Sequence, residues 1–450
     1  MSFVDESREL FERIADAAFN TLAADEELNL SLSAKDQHYV RFNRAQIRQA
    51  TAVAQRRLSL DFQKNRRSLR LSLDLSGRSA DDIAAVSSLL ERGRAETKVL
   101  PEDPFAVATS NHGSSDSHYA SDYPVAEAWM AEIAEAAAGL DFAGLLAAGP
   151  QIRATRNSAG QNHWFSNDSF FIDYSLFTLN TAGENKAVKG LHAGRNWQAE
   201  AFAAALAADR LTLEQLRRPT TSLPPGEYRV YLSPHAMEAI VSMFSWGAVS
   251  CDAWKQGGCA LQKLIDGEAN FSEQFSLIEN FNLGLGPRFS HLGEVGPEQL
   301  AIIEQGQLKN LLVNARSAKE YGLTGNGADS GETLRSPEVR PGTLAEADAL
   351  KALGDGVYLG NLHYLNWSDP QTARLTGMTR YACFRVESGE IAEPIRDLRF
   401  DESLYRMFGS SLEALTRESR LFPSTDTYGQ RALGGCQVPG ALINAFRFTF

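Results

Sequence analysis

Cysteine is scarce in this chain. There are four in 450 residues, too few for a disulfide framework and in keeping with a reducing compartment. Long apolar runs are absent as well, and no stretch reaches the roughly 20 residues that a bilayer-spanning helix needs. Positive charge is in deficit. Lys+Arg number 44 against Asp+Glu 56, for a net charge of −12, and so acidic a surface repels phosphate backbones and argues against direct nucleic-acid binding. The opening MSFVDESRELFERI has no basic segment followed by an apolar core, so it does not read as a secretory signal. The expectation is a cytoplasmic protein with no membrane contact.

Familiar catalytic signatures are also missing. No His-Glu-x-x-His occurs, and no two of the eight histidines lie three to five residues apart on an expected helix, so a zincin-type site is not encoded. GLTGNGAD at 322–329 has glycines but lacks the Lys-Ser/Thr of a phosphate loop. The loop at 110–123 carries His112, Asp116, His118 and Asp122, which are metal-ligand types. Their spacing matches no standard ligand pair, and polar loops of this make-up are ordinarily solvated. Cys251 and Cys259, with His235 upstream, are spaced too widely for a structural zinc site and are expected to be buried thiols. Cys436 in LGGCQVPG has no base nearby in sequence to make it a nucleophile.

What is present is a soluble globular composition, 43% hydrophobic and 22% charged. The length favours two domains. Residues 3–24 show helical spacing of Val4, Leu10, Phe11, Ile14, Ala18 and Leu22. LNLSLSA (28–34), RRLSLDF (56–62) and RSLRLSLDLSG (67–77) alternate apolar with polar, which predicts strands of a sheet with one wet face. Ser79 or Asp81 is placed to cap a helix running to about Ala95, and an alanine-rich helix is expected near 124–138. Strands are expected again within 150–180, joined by a turn at Asn157–Gly160, then helices at about 197–208 and 211–217. PTTSLPPGE at 219–227 reads as the linker.

Beyond it, EYRVYLSP predicts a strand leading into a long helix from Pro234 to about Val249. The rest reads as strands and glycine turns, with short helices near 344–352 and 402–415. Two segments share one pattern: AIIEQGQLKNLLVN (301–314) and YACFRVESGEIAEPIRDLRF (381–400). Each is a β-prone run, a Glu-x-Gly turn and a second run, with the glycine supplying positive φ. The fold class expected is α+β: an N-terminal mixed α/β domain with helices on an antiparallel-rich sheet (1–218), a linker (219–226), and a mainly antiparallel β C-terminal domain with one long helix (227–450).

Taken in order, PPGEYRVYLSP (224–234), Asp266-Gly267-Glu268, IIEQGQLKNLLVNARSAKEYG (302–322), Thr324–Gly327 and LTGMTRYACFRVESGEIAEPIRDL (375–398) resemble the TldD/TldE (PmbA) peptidase family. In the family's TldD branch a helix carries His-Glu-x-x-x-His and a late cysteine completes a zinc site. Alignment on Gly267-Glu268 places that motif over Met243-Phe244-Ser245-Trp246-Gly247-Ala248. Only Gly247 is kept. Met243 and Ala248 stand at the ligand positions, Phe244 at the acid position and Thr425 at the cysteine. A thioether, a methyl and a phenyl ring supply neither zinc ligands nor a general base.

The chain is therefore similar to the TldE/PmbA branch. The resemblance implies no catalytic residues, metal or cofactor in this chain. It implies pairing with a zinc-bearing TldD-like subunit, and a heterodimer that cleaves unfolded peptides captured as an added strand. Arg316, Asn326 and Arg380 are the candidate peptide-cleft residues by hairpin and loop position. The alternatives are a self-associating (homodimeric) peptide-binding or scaffold protein, or a peptidase with a relocated site using His112 and His118 or Cys436.

Overall fold

The computed structural model describes residues 2–124 and 126–449. The chain opens on helix α1 (Phe3–Phe19), closed at its start by a capping box between Ser2 and Asp5. The first half then builds strands β1 (Glu26–Asn43), β2 (Gln46–Lys64) and β3 (Arg67–Asp74), helix α2 (Ser79–Thr97), strand β4 (Ser114–Tyr119) and helix α3 (Ala126–Ala136). Strands β5 (Asp141–Asn157), β6 (Asn162–Leu179) and β7 (Asn185–Gly194) and helix α4 (Ala199–Leu216) complete it. The strands form one sheet in the order β3-β2-β1-β5-β6-β4, with β7 also on β6. Every pairing is antiparallel except β4 with β6.

The period-2 pattern sorts this sheet's two faces. Leu28, Leu30 and Leu32 of β1, Leu58, Leu60 and Phe62 of β2, and Ile152 and Ala154 of β5 pack under α1 and α2. Further along the same face, Val40, Phe42, Phe142 and Phe170 pack with α3 and α4. The opposite face is polar and is wet on β3, where Ser68, Arg70, Ser72 and Asp74 are exposed, but not on β1 and β5. Asn29, Lys35, Gln37, Gln151 and Thr155 are all buried, because this face meets the second half of the chain.

The second half comprises β8 (Gly226–Leu232), β9 (Leu277–Asn280), β10 (Gln299–Glu304), β11 (Gln307–Leu308), β12 (Pro337–Val339), β13 (Gly356–Asp369), β14 (Arg374–Glu387), β15 (Glu390–Pro394), β16 (Arg399–Ser403), β17 (Leu412–Pro423) and β18 (Gly435–Phe448). Helices α5 (Pro234–Ser242), α6 (Cys251–Lys255), α7 (Gln262–Ile265), α8 (Ala315–Tyr321) and α9 (Ala349–Leu353) are short. The strand path β18-β16-β14-β13-β8 returns to β18, so this part of the sheet closes on itself. Its pairings are mainly antiparallel, with β8–β13 and β12–β18 parallel.

Both expected hairpins form. The turns place Gln305 and Gly306, and Ser388 and Gly389, at positive φ, the geometry that matches strand twist. Gly306 is required for a second reason: a Cβ there would stand 2.2 Å from the Phe271 carbonyl oxygen.

Several local expectations are corrected. The long helix from Pro234 ends at Ser242, tightens into a 3-10 turn over Met243–Ser245, and reverses at Gly247 with φ +82°. The two helices expected at 197–217 are the single α4, since nothing between Ala208 and Leu211 breaks it. The helix expected at 402–415 is instead the end of β16, a π-type turn broken at Gly409, and the start of β17. Half of the expected 110–123 loop is β4, held on β6.

Candidate functional site

Helix α5 starts where Ser233 Oγ accepts the Ala236 N–H (3.3 Å) and donates to the Gly360 carbonyl (2.6 Å), with Pro234 at the first helical position. Its length carries the chain into the core of the second half. Met243, Phe244 and Ala248 are at most 2% exposed. The Phe244 ring stacks on Phe275 at 6.2 Å and meets Phe271 edge-on at 6.5 Å. The Ala248 carbonyl accepts the Cys259 thiol at 3.1 Å. These positions hold hydrocarbon against hydrocarbon and do not fit a zinc ion, which needs imidazole, thiolate or carboxylate donors. Thr425 lies half-buried in the segment between β17 and β18, which closes through the Ser424 N–H to the Gly434 carbonyl (2.9 Å).

The remaining candidate ligands are dispersed. All four cysteines are buried and free. Burial pushes the Cys259 thiol up to about 11 and, with nearby Glu238, raises Cys436 well above its ordinary value. Neither is a thiolate nucleophile at neutral pH. Burial pushes His235 down to about 4, and it packs edge-on to Phe422. Asp116 pairs with Arg8, His118 Nδ1 meets Ser166 Oγ at 2.6 Å, and His112 meets Ser110 Oγ at 2.7 Å. The Asp116 pair draws on α1, which the sequence alone did not bring near.

A cleft of about 500 Å³ lies between the polar face of the first sheet and loops of the second half. Its floor includes Ser31, Ser33, Arg153 and Thr155, and its far wall includes Phe289, His291, Asp329 and Arg335. Asp426, Tyr428 and Gln430, from the segment that holds Thr425, form the rim.

Main-chain recognition fixes the two sides together. The His291 carbonyl accepts Asn29 Nδ2 (2.9 Å), Ser31 Oγ (2.9 Å) and Thr155 Oγ1 (3.2 Å). Gln161 Nε2 donates to the Leu292 carbonyl at 2.8 Å. At Gly293 a Cβ would sit 1.9 Å from the Gln161 amide nitrogen, so only glycine allows this approach. Deeper in, Arg431 is 2% exposed. It donates to Gln37 Oε1 (2.9 Å), the Ser169 carbonyl (2.8 Å) and Ser169 Oγ (2.9 Å), while its own carbonyl accepts Gln151 Nε2 (2.9 Å). It pins the rim segment to the first sheet.

The cleft is electrostatically uneven. Burial raises the Asp329 carboxyl, but His291 Nδ1 at 2.6 Å, the Ser330 N–H and Arg335 outweigh that and hold it well below its ordinary value. Arg335 donates to the Phe289 (2.9 Å) and Gly327 (2.8 Å) carbonyls and lies over the Phe281 ring at 4.7 Å. Behind it, burial pushes Glu279 up to about 7 against the pull of Arg335 and two backbone N–H groups. Burial also brings Arg153 down to about 10. The His291–Asp329 pair orients an imidazole, yet among the described residues no hydroxyl or thiol hydrogen-bonds that ring. The cleft thus offers hydrogen bonds and positive charge to an extended ligand, without a nucleophile–base pair.

The three sequence candidates are not brought together. Arg316, on α8, pairs with Asp103 and lines a neighbouring cavity of about 240 Å³ that shares Ser290 and His291 with the cleft. Asn326 spends its amide on the backbone, accepting the Val313 N–H (2.9 Å) and donating to the Leu311 carbonyl (2.7 Å). Arg380 is exposed on β14 beside the Tyr381 ring. Arg153, His291, Asp329 and Arg335 were not singled out. Arg153 stands in RATRN, where its placement on a polar strand face is the one signal that was available.

Comparison with known proteins gives a consistent answer. Residues 225–449 match the model of the PmbA/TldA metallopeptidase C-terminal domain. A protein of Methanothermobacter thermautotrophicus described as a metalloprotease is 25% identical over 186 residues; the match covers 39% of this chain and 40% of that protein, less than half its length. The fold is shared with TldE from Thermococcus kodakarensis (TM-score 0.78, 14% identity, 98% of this chain and all of that one). It is shared too with a Thermotoga maritima protein described as a modulator of a DNA gyrase (TM-score 0.76, 14% identity, 98% of this chain and all of that one). The family match spans half the chain and includes the whole closed sheet and the segment at 243–248, and on that ground this protein belongs to the PmbA/TldA (TldD/TldE) metallopeptidase family.

Proposed function

We propose that this chain is the metal-site-degenerate subunit of a TldD/TldE-type metallopeptidase complex that acts on unfolded peptides in the cytoplasm. In this reading it is inactive alone, and it supplies a subunit interface and part of the peptide cleft. The supporting observation is the packing of Met243, Phe244 and Ala248 into a closed aromatic core, where the alignment on Gly267-Glu268 would put the zinc-bearing branch's two ligands (Met243, Ala248) and its acid (Phe244). Zinc is expected in the partner subunit, and the chemistry belongs there. This chain's own residues would hold and orient the peptide, through the polar floor of the cleft and the His291, Asp329 and Arg335 side chains of its far wall.

An exposed surface suits the partner. Near the ends of β13 and β14, Trp246, Tyr364 and Met378 are exposed, and Trp367 Nε1 donates to the Trp246 carbonyl at 3.0 Å. His363, the cross-strand neighbour of Met378, packs on Tyr364 at 4.3 Å. Apolar groups gathered this way mark interaction sites. The test is purification from the native host at natural abundance. A zinc-motif TldD-like protein should copurify with this chain. A persistent homodimer with no such partner would favour a self-associating peptide-binding or scaffold protein instead.

A further inference from the structure

Two cations on the polar floor of the first sheet have no carboxylate within 4.0 Å among the described residues: Arg153 of β5 and Lys35 of β1. Arg153 pairs across the strands with Ser33, and Lys35 with Gln151, so the two side chains are diagonal neighbours on one face. Lys35 is 5% exposed. Among the described residues, the Arg153 guanidinium makes one hydrogen bond, to the Ile152 carbonyl beside it at 2.9 Å. Arg70, Arg156 and Arg94, by contrast, pair with Asp61, Asp16 and Glu26. In a chain of net charge −12, two adjacent like charges left unpaired at a partly dehydrated surface are unfavourable unless an anion joins them.

Asp329 attracts Arg153 from the opposite wall, but none of the groups facing Arg153 forms an ion pair with it among the described residues. Asp329, on the opposite wall, is engaged by His291. Arg335, beside it, adds positive charge. Asp426 is on the exposed rim.

We infer that Arg153, with Lys35 behind it, forms an anion subsite on the cleft floor that takes a carboxylate of the bound peptide. A guanidinium presents paired N–H donors that match a carboxylate's two oxygens. The carboxylate comes from either the peptide's C-terminus or an Asp or Glu side chain. The inference rests on the reading of this cleft as peptide-binding.

The test is titration calorimetry of the full-length chain with three unlabelled octapeptides of one Ala/Ser/Tyr sequence. One has a free C-terminus, one is amidated and carries an internal Glu, and one is amidated and neutral. At least one carboxylate peptide should bind about tenfold or more tightly than the neutral one, and which one it is identifies the source. Arg153→Met should erase that advantage, weakening the carboxylate peptide about tenfold more than it weakens the neutral one. Arg153→Lys should retain part of it. Equal affinity of the wild type for all three peptides would overturn the subsite while leaving the cleft reading intact. So would an Arg153→Met variant that weakens all three alike, which is the mark of a structural role. No binding of any peptide would overturn the cleft reading, and the subsite with it.

Discussion

Glu238 stands on α5 with a carboxyl that has no hydrogen-bond partner among the described residues, and burial pushes it up to about 7 from an ordinary 4.5. The sign follows from linkage. Below pH 4.5 both folded and unfolded chains hold the proton and stability is unaffected. Between about 4.5 and 7 the unfolded chain ionises first, so stability drains as pH rises. Glu238→Gln removes that drain. The variant should gain on the wild type between pH 5 and pH 8, by on the order of 2 kcal/mol, read by urea melts at both values. An equal difference at the two pH values would contradict the buried-acid account. Phe244 is a different case, fixed by packing alone. Phe244→Ala should cost about 3–5 kcal/mol, since its ring touches three other phenylalanines. It was singled out in the sequence, where a phenyl ring stands at the acid position of the aligned motif. Arg153, Arg431 and the His291–Asp329 pair were not legible. Each owes its setting to residues far away in the chain, such as Arg431 with Gln37, and period or spacing carries no record of such partners.

Turn chemistry explains most of what could be read at the level of elements. The two Glu-x-Gly hairpins formed as expected, and Gly306 shows why the signal was strong. With φ +79° and Phe271's carbonyl oxygen 2.2 Å from any Cβ, Gly306→Ala must both strain the turn and push it off the Phe271–Ser272 backbone. It should lower stability by about 2 kcal/mol or more, measurable as a fall in melting temperature. A neutral substitution would mean the turn relaxes freely. Where the turn signal failed, so did the reading. The β1–β2 hairpin reverses at Arg44-Ala45, both at positive φ and neither a turn-forming type. Its flanks, YVRFN and QIRQATAVAQ, mix polar and small residues, so the strands run well beyond the alternating LNLSLSA and RRLSLDF. The helix after Pro234 was overdrawn for the opposite reason. Its apolar spacing continues through Phe244, but Trp246-Gly247 turns the chain back.

Across the whole molecule, a seven-stranded sheet with helices on one face docks its polar face against a larger, partly closed sheet, and the cleft lies in that seam. Composition and alternation indicated an α+β chain with hairpins in its second half. They could not indicate that the wet-looking face would be a docking surface, because alternation reports which side chains are polar and not what covers them. The exposed Trp246–Tyr364–Met378 surface belongs to this scale too. Tyr364→Asp should reduce capture of the TldD-like partner at least tenfold in a pull-down while leaving the melting temperature within a few degrees. Undiminished capture would move the subunit interface elsewhere. The central claim is that the segment which would cradle a catalytic ion offers only hydrocarbon. Elemental analysis tests it most directly: the purified chain is incubated with excess zinc, then dialysed against a weak chelator. The account predicts far less than one zinc per chain. One tightly retained zinc per chain, lost on Met243→Ala, would contradict it.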